Sequence, residues 1–144
     1  MKLNTMGKVN VEIELENAGD RELYLRNFIP ENQIRSAKIR ILADSGAVML
    51  VLPQDLVEEL GLREKRKVVV TYADGRKEER PVAGVVTVRI GNRSTEDNCV
   101  VGPPNSTPLL GQVILEKLDL LVDCKDQKLV PRPESPFLPL LDLL

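Results

Sequence analysis

An aspartate closing an apolar run and followed by three small residues is the segment of this chain that most asks for a chemical explanation: Ile41-Leu42-Ala43-Asp44-Ser45-Gly46-Ala47. The Asp44 carboxylate is expected at a strand end among apolar neighbours, where a charge is unfavourable unless it is hydrogen-bonded or protonated. Gly46 lets the backbone turn sharply and lets another chain or a substrate come close. Two uses are open at this point: a carboxylate for acid–base chemistry, or an ordinary Asx turn in which Asp44 accepts from nearby backbone N–H groups. The chain has no histidine. That removes imidazole bases, Ser-His and Cys-His nucleophile pairs and every His-containing metal site. Two cysteines, Cys99 and Cys124, are too few for an all-cysteine zinc site in one chain, and neither has a basic partner by motif. No metal and no cofactor are expected, and the chemistry left is that of carboxylate, lysine, hydroxyl or a lone thiol.

Composition narrows the partners. Twenty basic residues face 22 acidic ones, and aromatics make up 3% with no tryptophan, so neither a phosphate backbone nor stacked bases would be well served. Nucleic-acid binding is therefore not expected. The longest apolar run, Ala47 to Leu52, is far short of the ~20 residues that cross a bilayer, and the N-terminus lacks a signal-peptide core, so no membrane is expected either. Reduced, buried thiols are the simpler reading of the two cysteines, which points to the cytoplasm. A chain of 144 residues with 42% hydrophobic and 29% charged content is expected to fold as one domain.

The elements that must position Asp44 are mostly strands. Val9, Val11, Ile13 and Leu15 alternate with Asn10, Glu12, Glu14 and Glu16, the pattern of a half-buried strand. Asn17-Ala18-Gly19-Asp20 reads as a turn, with a returning strand from Leu23 to Ile29. Ala37 to Ala43 leads into Asp44, and the run through Leu52 reads as a strand buried on both faces. Pro53 suits the start of a short helix through Leu60, ended by Gly61. Strands over Lys67 to Tyr72 and Lys77 to Ile90 flank Ala73-Asp74-Gly75-Arg76, a hairpin signal. A strand at Asp97 to Val101, a loop at Gly102 to Ser106, Leu109-Leu110-Gly111, a helix over Gln112 to Leu118 and a hairpin at 120–130 complete the domain, taken as residues 1–130. Residues 131–144 hold four of the ten prolines and read as a Pro/Leu-rich tail or arm. The fold class expected is mainly β, a small closed barrel-like lobe with two short helices.

These features, in this order, resemble the retropepsin-like aspartic proteases, single-lobe relatives of retroviral protease. The resemblance rests on Ile41 to Ala47, on Val51-Leu52-Pro53, on the Ala73-Asp74-Gly75 hairpin, on Leu109-Leu110-Gly111 with its glycine 65 residues beyond Gly46, and on Leu121-Val122-Asp123. It implies an aspartic endopeptidase with Asp44 as the catalytic group. Such chemistry needs two carboxylates sharing a proton, because like charges ~3 Å apart cannot both ionise. The chain has one Asp-Ser-Gly-Ala motif, so the resemblance implies a two-fold homodimer with Asp44 from each copy at the axis, acting on a peptide or protein substrate. By the same resemblance, Ser45 ties the two active-site loops together, Gly46 lets substrate backbone pass, and Ala47 lines the pocket. Tyr72, Ala73, Asp74 and Gly75 form a flap that closes over bound peptide. Leu109, Leu110 and Gly111 pack beneath the active-site loop. The alternative is a non-catalytic peptide-binding or dimerisation module that keeps the fold.

Overall fold

Alternation produces the first strand: Val9, Ile13 and Leu15 are buried while Asn10 and Glu12 lie outside or at the margin. The structure, a computed structural model, describes residues 8–141. In chain order they form β1 (Lys8–Asn17), α1 (Ala18–Leu25), a single 3-10 turn (Glu31–Gln33), β2 (Ser36–Asp44), β3 (Val51–Pro53) and α2 (Gln54–Glu59). Then follow β4 (Arg63–Thr71), β5 (Lys77–Ile90), β6 (Arg93–Gly102), β7 (Leu109–Leu110), α3 (Gln112–Leu118), β8 (Leu120–Asp123) and β9 (Lys128–Pro131).

Seven strands make one mixed sheet in the order β1-β2-β7-β3-β6-β5-β4, and β8 and β9 form a separate hairpin. The expected closed barrel-like lobe is not what forms. Closure needs a continuous ladder of tilted, staggered strands. Here β7 and β3 are two and three residues long and pair antiparallel at a single position, Val51 with Leu109. The end of β1 does reach β5, over Glu14 to Asn17, but β4 stays outside that contact as a terminal strand. The sheet is mostly β and mixed, not a barrel.

The helix content also differs from expectation, with three α-helices instead of two. Residues read as a turn and a returning strand instead form α1. Asn17 caps it by accepting from the Asp20 N–H at 3.0 Å, and its side-chain amide donates to Leu60 O at 2.9 Å. The Asp20 carboxylate in the first helical turn receives the backbone N–H, Nε and Nη2 of Arg35 at 2.8–3.0 Å. Cap and first-turn acid are helix-start chemistry, and they outweigh the strand propensity of Leu23-Tyr24-Leu25. The run 47–52 likewise yields only β3; residues 47–50 are loop.

The core gathers Ile41, Leu52, Leu60, Leu110, Ile114, Leu115 and Leu118, all essentially sealed from water, between the sheet and α2 and α3. Burial of each such side chain contributes roughly 1.5–3 kcal/mol. Beyond β9 the chain is clasped to the body. The buried Asp119 carboxylate accepts from Arg132 Nε, from Ser135 Oγ at 2.5 Å and from the Leu140 N–H at 2.9 Å. Buried Arg93 donates to the carbonyls of Leu118 and Asp119, each at 2.9 Å, and to that of Ser135. Among the described residues no helix is long and apolar enough to cross a membrane.

Candidate active site

Asp44 is delivered by β2, which lies between β1, antiparallel, and β7, parallel. The preceding Ala43 is completely buried, and Asp44 emerges from the sheet with its side chain 15% exposed. The Gly46 N–H donates to Asp44 Oδ1 at 2.8 Å and the Ala47 N–H to Asp44 O at 3.0 Å. The Asx turn open in the sequence is therefore present. It engages one carboxylate oxygen; the other faces Lys8 Nζ at 3.9 Å.

The loop after Asp44 is held from below. The N–H groups of Gln112 and Val113, at the start of α3, donate to the carbonyls of Ala47 and Val48 at 2.8 and 3.1 Å. A Cβ on Gly111 would come within 2.5 Å of Met49 O and 2.6 Å of the Val48 carbonyl carbon, so only glycine permits this approach. Leu110 is fully buried and Leu109 half-buried beside it, pairing with β2 and β3. Ser45 and Ala47 are half-buried and Gly46 is exposed.

The hairpin between β4 and β5 turns through Tyr72 to Arg76. The Gly75 N–H donates to Tyr72 O at 2.9 Å and the Tyr72 N–H to Arg76 O at 2.8 Å, with Gly75 at φ +85°, where a glycine is favoured. Asp74 Oδ1 accepts from the Arg76 N–H at 2.9 Å at the exposed tip, so its carboxylate serves its own turn and does not join Asp44. The Tyr72 hydroxyl donates to Glu78 Oε1 at 2.6 Å and the Arg76 guanidinium stacks 4.3 Å from the ring centre. That hydrogen bond to Glu78 holds the phenol pKa above its ordinary value. Tyr72 thus bonds within its hairpin rather than across a cleft.

Between loop and hairpin lies a cleft of about 450 Å³. Ala47 and Leu109 wall one side, Val70, Tyr72 and Ala73 another, and Pro103, Ser106 and Thr107 of the 103–108 loop a third. Arg80 enters the wall with its Nε donating to Val101 O at 2.8 Å. Asp44 stands beside this cleft, three residues ahead of Ala47, rather than in its wall. The sequence pattern marks a loop at Gly102 to Ser106 but assigns neither it nor Arg80 to the site. The available signal was Gly102, where a Cβ would press on Ser106 Oγ at 2.7 Å. Of the thiols, Cys99 is fully buried and burial pushes it up to about 12, which leaves it unsuited to nucleophilic work. Among the described residues no three His, Cys, Asp or Glu side chains gather as a metal site.

Residues 31–117 match the family model described as "gag-polyprotein putative aspartyl protease". The matched span runs from the 3-10 turn to α3 and takes in Asp44, the hairpin and Gly111. Among solved structures, the EIAV protease complexed with the inhibitor HBY-793 is similar at 24% identity, over 56% of this chain and 77% of that one, with a TM-score of 0.46. No curated protein sequence matches the chain. With more than half of its length matched by the family model, the chain belongs to the retropepsin-like aspartic protease family.

Proposed function

We propose that the protein is an aspartic endopeptidase whose catalytic pair is Asp44 from each of two copies. The observation that carries this reading is the setting of Asp44. It closes a half-buried strand on a braced turn, with Oδ1 accepting from the Gly46 N–H at 2.8 Å and Oδ2 3.9 Å from Lys8 Nζ. Two such carboxylates brought together across a two-fold axis share one proton and titrate as a pair. The ionised member takes a proton from water as the water attacks the scissile carbonyl, and the protonated member donates to the carbonyl oxygen. Ser45 would link the two loops, Gly46 and Ala47 would border the substrate backbone, and the Tyr72–Gly75 hairpin would close over it.

A non-catalytic peptide-binding or dimerisation module is the second reading, favoured by the absence of Asp44 from the walls of the 450 Å³ cleft. Asp44→Asn separates the two. Asparagine keeps an oxygen that can accept from the Gly46 N–H, so the turn and the fold are retained, but no shared proton is possible. The proposal expects cleavage of a peptide library to fall to the buffer background in this variant while its circular dichroism is unchanged. Equal cleavage by both proteins would reject Asp44 as the catalytic group. Peptide binding without turnover by the wild-type dimer would establish the module.

A further inference from the structure

Between α1 and the β4–β5 pair lies a groove of about 600 Å³. Four cations border it: Arg26, Arg35, Arg63 and Lys65. Arg35 is committed to Asp20 and Arg26 to Glu22. Arg63 and Lys65 are exposed, and no described carboxylate forms an ion pair with either. Apolar surface adjoins them: Leu23 and Phe28 also line the groove, and Phe28 is 73% exposed. The strand carrying Arg63 and Lys65 is the terminal one of the sheet, so part of its backbone N–H and C=O groups have no strand partner. A row of basic side chains on such an edge discourages pairing with another neutral or basic strand, and it favours an acidic one.

We infer that this groove is a docking site for an extended acidic peptide segment carrying large apolar side chains, laid beside β4 at Arg63 and Lys65. Charge complementarity selects the occupant: carboxylates meet Arg63 and Lys65, and an apolar side chain covers Leu23 and Phe28. An extended backbone would let alternate side chains read charge and apolar surface. The groove shares no lining residue with the cleft beside Asp44, so the inference stands whether or not the chain cleaves peptides.

The probe is a fluorescein-labelled peptide of alternating glutamate and leucine, with a lysine–leucine peptide as control, followed by fluorescence anisotropy against the full chain. The glutamate–leucine peptide is expected to bind and the control not to. Affinity should fall at least tenfold in the double variant Arg63→Glu, Lys65→Glu, and should weaken as salt screens the exposed charges. Phe28→Ser provides a second variant that leaves the charges in place and should weaken binding severalfold. Amide chemical-shift changes should gather at α1 and Arg63–Lys65 and spare Tyr72 and Ala73. Unchanged affinity in the charge-reversed protein, equal binding of the control, or shifts confined to the cleft would overturn the inference. So would a sedimentation result in which the labelled peptide is displaced by a second copy of the chain.

Discussion

Single residues decide whether the Asp44 loop can exist. Gly111 has φ −90°, which any residue adopts, so its requirement is purely one of space. Gly111→Ala would drive a methyl group into Met49 O and the Val48 carbonyl, both backbone and unable to swing aside. Overpacking of this kind destabilises by roughly 1–3 kcal/mol. Urea unfolding should show a lower midpoint with an unchanged slope, and an unaltered midpoint would mean the loop is free to shift. Much of this residue-level logic is legible in the sequence. An aspartate after Ile-Leu-Ala and a glycine after Leu-Leu each announce a tight place. What the letters hide is partner choice. Tyr72 is placed near the hairpin base by its spacing alone, but its commitment to Glu78 depends on which face of β5 Glu78 occupies opposite β4.

At the level of elements, strong periodicity is read well and weak periodicity is overruled by capping. The strand at Lys77–Ile90 and the helix at Gln112–Leu118 lie where alternation and apolar spacing put them. Failure is concentrated at α1, because Leu23-Tyr24-Leu25 resembles a strand and its apolar side chains do not enter the core. Leu25 is 63% exposed. The helix is instead stabilised by Asn17 and by Arg35, fifteen residues beyond Asp20, a pairing that no local pattern reveals. Asn17→Ala should therefore cost about 1 kcal/mol for the cap, and more because Leu60 O then loses its donor. Asn17→Ser, which keeps an accepting oxygen but not the amide donor, should fall between wild type and Asn17→Ala in a thermal melt. Equal melting of all three would remove the cap from the account. The shortened β3 has a similar origin: the start of α3 claims the carbonyls of Ala47 and Val48, and residues that look like strand are held as loop.

For the molecule as a whole, the sheet is assembled from long-range pairings, and sequence alternation does not say where a ladder stops. Five strands long enough to wrap the core were visible in the letters. The interruption at β3 and β7, which prevents a closed wall, was not, because strands of three and two residues leave no period to detect. Charge ties these parts together. Glu16, Asp20 and Asp119 are each held below the ordinary carboxylate range, first by a hydrogen bond from an arginine: Arg21, Arg35 and Arg132 respectively. A depressed folded-state pKa means that the stabilisation is fully present above the unfolded value near ~4 and is lost as pH falls through the folded values. The melting temperature should therefore be insensitive to these groups from neutral pH down to about 5 and should drop as the solution is acidified below about 4. Asp119→Asn should flatten part of that drop. A melting temperature that rose on acidification would contradict the assignment.

The Asp119 clasp makes the last described stretch of chain something other than an appendage. A premature stop ahead of Arg132 would take away the donors of Arg132, Ser135 and Leu140 that reach this carboxylate. The carboxylate would lose these donors and their cover together, while Arg93 lost its hold on Ser135. Trimming what looks dispensable on paper would thus injure the hub from which α3, β6 and the final hairpin all hang, and the shortened protein should be recovered from expression largely as aggregate.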